Sequence, residues 1–423
     1  MKKLFALLLA CIMLFLTACN QNPPSETTAD NLPNETTSSQ NQEKPNESEL
    51  KDTIIRGTYD DFIETPSRIV FVNPISPNYT FYYSKADGKA YVYCFDPLCD
   101  HGGEKCLANP NANQEHIFSF DLANTFFINN RFYTATSYGQ IYSFAFDGSD
   151  LKIEYSAEEE YIFGEINYYL WSINFRAYDK YIYIRMEKDE NGNPHTLRFN
   201  TETKEMEDLT AKTGNYIAPV FFYNEEIYGR DSRNLWIKTD LNLKEIETIE
   251  AQPTTDQFYG SVFFNNAYDD LQNYNNRKVI GIQAHDMKTG ETTRFSNEML
   301  GLEADTYNVV AVDENYVYFY QSKKILLGTY IDHKGKEREQ YKYNDGKLYR
   351  VKHDGTECAC IYDNPEFEFD SKEAVIFGDR IIIKGVYMGV RDGVVTSWDS
   401  GMKVGTIGED GKIEKFENIE LVY

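Results

Sequence analysis

One short motif recurs along most of this chain and restricts its fold more than any single residue does. A turn followed by an aromatic-rich strand appears as Asn78-Tyr79-Thr80-Phe81-Tyr82, Asn129-Asn130-Arg131-Phe132-Tyr133 and Asp179-Lys180-Tyr181-Ile182-Tyr183. It returns as Asn224-Glu225-Glu226-Ile227-Tyr228, Glu314-Asn315-Tyr316-Val317-Tyr318 and Gly378-Asp379-Arg380-Ile381-Ile382. The copies are separated by 51, 50, 45, 90 and 64 residues, and the step of 90 spans two units, with a degenerate copy near Phe263-Phe264-Asn265-Asn266. A period of this size means small units that cannot bury their apolar faces alone and must stack on their neighbours.

A second signature follows the first. Ile141-Tyr142-Ser143-Phe144 leads into Asp147-Gly148, Leu348-Tyr349-Arg350-Val351 into Asp354-Gly355, Met402-Lys403-Val404 into Asp410-Gly411, and Ile280-Gly281-Ile282 into Thr289-Gly290. Asp-Gly between alternating runs predicts a two-residue hairpin, because glycine supplies the positive φ such turns require. Seven units of about four short strands each predict an all-β protein, a β-propeller of seven blades, with six as the alternative count. Arg68-Ile69-Val70-Phe71-Val72 precedes the first full unit and is expected to complete the last blade. A tandem of immunoglobulin-like sandwiches would need a period of about 100 residues, twice that observed.

Composition agrees with this reading. The chain has 33 Tyr and 27 Phe against only 13 Pro, and aromatic side chains pack well on pleated sheets. Its net charge of −25 argues against nucleic acid as a partner.

The N-terminus gives an address. Met1-Lys2-Lys3 precedes an apolar run from Leu4 to Leu16 that is short for a membrane span and is flanked as a secretory signal is. The run ends in Leu16-Thr17-Ala18-Cys19, which resembles the lipobox of bacterial lipoprotein precursors. That resemblance implies cleavage after residue 18, lipidation of Cys19 and a place on the extracytoplasmic side of the cell membrane. Two acyl chains would hold the protein there stably. Residues 1–18 are thus read as signal peptide, 19–60 as lipidated Cys and polar tether, and 61–423 as the propeller. Asn, Gln, Ser, Thr, Glu and Pro dominate the tether, which has too little apolar surface to offset its ordering entropy.

Cys94, Cys99, His101 and Cys106 fall within thirteen residues, in the place where the other units carry their Asp-Gly turn. Four such ligands suffice for a closed tetrahedral zinc site. A disulfide such as Cys99–Cys106 and unpaired thiols are the competing readings. All three are structural. Together the lipobox, tether, aromatic repeats and Cys-x-x-Pro-x-Cys-x-His element are similar to a group of Firmicutes lipoproteins with β-propeller domains. The resemblance implies fold and anchor and brings no catalytic residues. Cys358-Ala359-Cys360 places two cysteines on one face of a strand, where two small buried residues are the simplest reading.

No Gly-x-Ser-x-Gly elbow, His-Glu-x-x-His, Walker loop or dinucleotide fingerprint is present. The segment between second and third strands is lengthened in the fifth, sixth and seventh units, around Tyr268, Asp269, Asp270 and Tyr274, around Tyr330 and His333, and around Tyr387, Arg391 and Trp398. Three adjacent blades lengthened on one face predict a wall able to bind an envelope carbohydrate or peptide. The cysteine turn, read as joining third and fourth strands, is expected on the opposite face. A propeller glycosidase or lyase acting on envelope polysaccharide is the enzymatic alternative, and a scaffold subunit of an envelope complex the third reading.

Overall fold

Runs such as Ile381-Ile382-Ile383, with no exposure at any position, are buried on both sides of their strand. A sheet flanked by sheets on both faces produces that pattern, and this chain builds seven of them. The computed structural model describes residues 62–72, 79–95, 98–99, 106, 108, 125–135, 140–156, 175–186, 193–249, 257–269, 278–303, 306–331, 334–391 and 394–422.

Each blade is an antiparallel meander. Blade 1 holds β1 (Phe62–Glu64), β2 (Arg68–Val72), β3 (Thr80–Ser84) and β4 (Ala90–Val92); blade 2 holds β5 (Thr125–Ile128), β6 (Arg131–Ala135), β7 (Gln140–Ala145) and β8 (Lys152–Ser156). Blade 3 comprises β9 (Phe175–Tyr178), β10 (Tyr181–Met186), β11 (His195–Asn200) and β12 (Met206–Asp208), and blade 4 β13 (Ala218–Tyr223), β14 (Glu226–Arg230), β15 (Trp236–Asp240) and β16 (Ile246–Thr248). Blade 5 has β17 (Gln257–Tyr259), β18 (Val262–Tyr268), β19 (Val279–Asp286) and β20 (Thr292–Ser296). Blade 6 is β21 (Thr306–Val312), β22 (Tyr316–Ile331), β23 (Glu337–Lys352) and β24 (Ala359–Asp363). Blade 7 is β25 (Phe367–Phe377), β26 (Arg380–Arg391), β27 (Val394–Ile407) and β28 (Ile413–Asn418). Two short helices, α1 (Leu209–Thr213) and α2 (Asn297–Leu300), lead out of blades 3 and 5. Among the described residues no helix is long and apolar enough to cross a membrane.

Seven apolar clusters lie between these sheets, one for each pair of neighbours. Val70 and Tyr93 of the first blade region meet Phe132 and Phe144 of blade 2, and Phe126 and Ile141 meet Ile182 and Phe199 of blade 3. Tyr183 packs on Phe222 and Ile237, Trp236 on Phe263, Phe264 and Ile282 on Phe319, and Tyr320 on Phe369 and Ile381. The seventh cluster joins Phe81 and Val92 of blade 1 to Val375, Ile382 and Met402 of blade 7. The ring is therefore closed, with seven blades.

Closure departs from the sequence-based expectation. Arg68–Val72 does not complete the last blade; it pairs with β1 and β3 inside blade 1. The last described strand, β29 (Leu421–Val422), instead adds in parallel to β4 at the edge of blade 1. The copy at Asn78-Tyr79 thus belongs to a third strand, whereas the other copies introduce second strands. Blade 1 also has its Asp-Gly turn, at Asp87-Gly88 between β3 and β4, where Gly88 has φ +75°. Gly148, Gly290, Gly355 and Gly411 occupy the same place with φ of 72–82°, and Lys204 and Leu243 fill it in blades 3 and 4. These loops are longer than two residues: Ala145 bonds to Ser149 across Phe146-Asp147-Gly148, and Ser84 bonds to Lys89. A turn followed by one left-handed residue explains the glycine.

Candidate functional site: a hairpin wall and a cysteine cluster

In a four-stranded meander the turn from second to third strand and the exit from the fourth strand emerge at the same end. On that end the second and third strands of blades 6 and 7 outgrow their blade. β22 and β23 have 16 residues each, and β26 and β27 have 12 and 14, whereas β14 and β15 have 5 each. The pairing continues out to Ile331↔Glu337 in blade 6 and Arg391↔Val394 in blade 7. Eleven additional residues at about 3.3 Å each let the blade 6 hairpin stand roughly 35 Å beyond an ordinary blade edge.

Buried polar side chains fix the root of this hairpin. Lys342, 2% exposed, donates from Nζ to the carbonyls of Pro365 at 2.5 Å and Phe367 at 3.1 Å. The Asn344 side chain donates to the Phe369 carbonyl and accepts from its N–H. Tyr320 stacks on Phe369 with 5.1 Å between ring centres and donates its hydroxyl to the Ser371 carbonyl. Burial holds the Lys342 ammonium below the usual lysine range, with Glu368 opposing that shift. Burial raises the Glu368 carboxyl, against the Tyr343 N–H bond and Lys342, which favour its charged form. In blade 7 the wholly buried Lys403 pairs with Asp399 at 3.1 Å. Nothing in the local sequence distinguishes Lys342 and Lys403 from the solvated lysines around them, so pattern reading missed both.

Further out the hairpin is open to solvent. Leu326, Tyr330, Ile331 and Tyr343 are all exposed, and Lys324 lies over the Tyr341 ring at 3.7 Å. Residues 321–343 carry six Lys and Arg against three Asp and Glu in a chain of net charge −25. The arm is a cationic, aromatic-bearing projection on an acidic body.

The other residues expected at this face divide. Tyr268 closes β18 half-buried, and Asp269 pins the loop by accepting from Lys278 N–H and donating its own N–H to the Lys278 carbonyl. Tyr387 is committed to the core: it donates to the Phe416 carbonyl at 2.7 Å and meets Phe367 edge-on. Trp398 pairs with it by backbone across the blade 7 hairpin, and Arg391 ends β26. Cys19, His101, Asp270, Tyr274 and His333 lie outside the described residues.

The cysteine segment leaves β4, the fourth strand of blade 1, rather than joining third and fourth strands. It therefore emerges at the same end as the hairpin wall, not opposite it. The Sγ atoms of Cys94, Cys99 and Cys106 lie within 4.8 Å of one another. Cys106 is buried and the other two half-buried. Burial pushes the Cys106 thiol up to about 12, a backbone bond with Ala108 opposing it, and the neighbouring Cys99 and Cys94 add to the rise. Three sulfurs at this spacing can hold a metal ion. A tetrahedral thiolate site with Zn–S of about 2.3 Å sets sulfurs about 3.8 Å apart, so the cluster needs to contract by no more than about 1 Å. Cys358 and Cys360 pack against the core between blades 5 and 6, as two small half-buried residues.

A concavity of about 780 Å³ along β27 and β28 of blade 7 is lined by Val404, Thr406, Ile413, Lys415 and Glu417, and Val404 also packs against the apolar cluster that includes Cys106.

No family model and no curated protein matches the chain. Among solved structures, the oligogalacturonate lyase of Vibrio parahaemolyticus is similar at 10% identity and TM-score 0.41, covering 85% of this chain and 92% of that one. The computationally designed Ika8 protein gives 10% and 0.38, over 81% of this chain and 96% of that one. PorZ of Porphyromonas gingivalis gives 10% and 0.34, over 86% and 53%. At such values these likenesses carry no argument about activity, and the fold rests on the seven sheets themselves.

Proposed function

We propose that this chain is a lipid-anchored, extracytoplasmic propeller that binds an envelope ligand, carbohydrate or peptide, against the hairpin wall of blades 6 and 7. The observation that carries the reading is the joint elongation of β22–β23 and β26–β27 on one end, with the longer hairpin rooted by buried Lys342 and Asn344. A projecting hairpin without a task would not need a buried ammonium at its root, because desolvating that charge is costly. Exposed Tyr330 and Ile331 supply contact area, and the local excess of Lys and Arg favours a ligand that carries negative charge. The lipobox-like end at Cys19 supplies the address.

A structural zinc ion at Cys94, Cys99 and Cys106 belongs to the same reading, with His101 as the fourth ligand that the sequence suggests. It would deprotonate the buried Cys106 thiol, since zinc binds thiolate.

The test is a binding screen of the full chain against cell-wall fragments, acidic and neutral glycans, and envelope peptides, repeated with Tyr330→Ala and Lys324→Glu. Each substitution is expected to weaken binding about tenfold, the equivalent of about 1.4 kcal/mol. Binding that neither change affects would place the ligand elsewhere and refute this choice of surface.

A further inference from the structure

The cysteine cluster sits at the one interface of the ring that joins distant parts of the chain. Cys106 and Ala108 belong to the same buried cluster as Val375, Ile382 and Met402 of blade 7 and Ile419 from the approach to β29, and Cys94 and Cys99 pack against it. Two backbone bonds turn the segment back onto blade 1: Thr80 N–H donates to the Ala108 carbonyl at 2.7 Å, and Tyr93 N–H donates to the Thr80 carbonyl at 2.9 Å. The three thiols thus lie where blade 1, blade 7 and the incoming end of β29 meet.

That seam has little backbone pairing of its own. β29 contributes two register pairs, Leu421↔Ala90 and Val422↔Tyr91, with Ala90 N–H also donating to the Glu420 carbonyl. A strand of two residues is far below the usual five or six. The adjoining ion pair, Lys89 to Glu420, is solvent-exposed at both ends and adds little. The Arg380 guanidinium donates to the Tyr83 hydroxyl at 2.8 Å across the same gap. Apolar contact does most of the holding, and a cross-link inside that contact would stiffen it.

We propose that Cys94, Cys99 and Cys106 bind one thiophilic divalent cation, zinc, as the clasp of the propeller ring, locking the blade 1 exit segment into the blade 7–blade 1 seam. This rests on the structural-zinc reading above and adds where its stabilisation is felt. Metal binding displaces the thiol protons as zinc–sulfur bonds form, with no change of oxidation state, and its free energy appears as folding free energy wherever the ligands are held together. Here they are held together by the seam. Loss of the ion is therefore felt first at β4, β29 and the facing strands of blade 7, rather than around the whole ring.

The experiment uses the full chain purified without chelator, one portion with reductant for metal analysis and one without it for disulfide mapping. Metal analysis is expected to give one zinc per chain, falling to near none in Cys94→Ser/Cys106→Ser. Amide hydrogen exchange is then followed in the wild type with and without a strong zinc chelator, so that the result does not depend on the variant folding. Chelation is expected to speed exchange at least tenfold at Ala90, Tyr91 and Val422. Amides of β14 and β15 in blade 4 should change less than twofold. Absence of zinc, or a mapped disulfide between any two of the three cysteines, overturns both the zinc reading and the clasp. Zinc bound at one equivalent, with exchange unchanged at the seam or raised equally in blade 4, overturns the clasp alone.

Discussion

Gly385, on β26 near the root of the blade 7 hairpin, offers a sharp test of how the blade 6–blade 7 interface is packed. A Cβ at this position would lie 2.2 Å from Cζ and 2.8 Å from Cε1 of Phe367, where carbon atoms prefer about 3.5–4.0 Å. The Phe367 ring would have to retreat by more than 1 Å, and it has no room. It is wholly buried, stacked on Phe416 at 5.2 Å, with Phe369 at 4.9 Å and Tyr387 at 5.0 Å edge-on. The backbone at Gly385 is not in the left-handed region, so the penalty of Gly385→Ala is overpacking alone. Overpacking of this kind costs about 1–3 kcal/mol, which corresponds to a fall in Tm of roughly 1–4 °C for a domain of this size. Phe367→Leu alone should also destabilise, by about 1–3 kcal/mol from lost aromatic contact. Combined, the two should recover about 1–2 kcal/mol relative to their sum, because the smaller side chain vacates the space the new methyl needs. Urea unfolding followed by near-ultraviolet circular dichroism measures all four corners of the cycle. Single changes that add within about 0.5 kcal/mol, or a Gly385→Ala protein as stable as the wild type, would refute the packing argument.

Glu368 gives a pH-dependent outcome. Its carboxyl is raised by burial, so between the ordinary carboxylate range and that raised value the folded state holds a proton the unfolded state has lost, and stability falls as pH rises. Glu368→Gln should remove that slope while keeping an acceptor for the Tyr343 N–H, so the variant's advantage grows as pH rises from 4 to 7; parallel stability–pH profiles would count against it. Cys19→Ala should shift the chain from the membrane fraction to the soluble fraction after cell disruption, as read by immunoblot, and an unchanged distribution would remove lipid anchoring from the proposal.

Blade number was legible because each blade ends its third strand in a residue with positive φ, and glycine marks five of those places openly. In blades 3 and 4, Lys204 and Leu243 adopt that conformation, and there only the aromatic motif carried the count. Blade 1 was misread because the long segment after β4 displaces everything beyond it. Asn78-Tyr79, which precedes a third strand, then fell at the spacing expected of a second. The same slip put the cysteines between third and fourth strands and hence on the wrong end. Topology corrected it, since an exit from a fourth strand shares an end with the second-to-third turn. The lengthened hairpins of blades 6 and 7 were visible as excess residues between aromatic strands. Tyr387 was not separable from Tyr330 in that view, although one is spent on Phe416 and Phe367 and the other faces water. Burial of Lys342 and Lys403 left no mark in the sequence, because it depends on carbonyls and carboxamides supplied by other strands.

The parallel docking of β29 on β4 also sets the order in which this molecule can be assembled. Lys89 and Glu420, which meet there, are 331 residues apart. Closing a loop of that length instead of one of about ten residues takes about five doublings, or about 3 kcal/mol more chain entropy. Blades 2 to 6 can each form from neighbouring residues as they emerge from synthesis. Blade 1 stands throughout with an unpaired edge, and the apolar flank formed by Ile69, Phe81 and Val92 waits for Val375, Ile382 and Met402. Until they arrive, the nascent chain carries an adhesive surface on its first blade. Crossing that interval without self-association is the main kinetic hazard in the life of this protein.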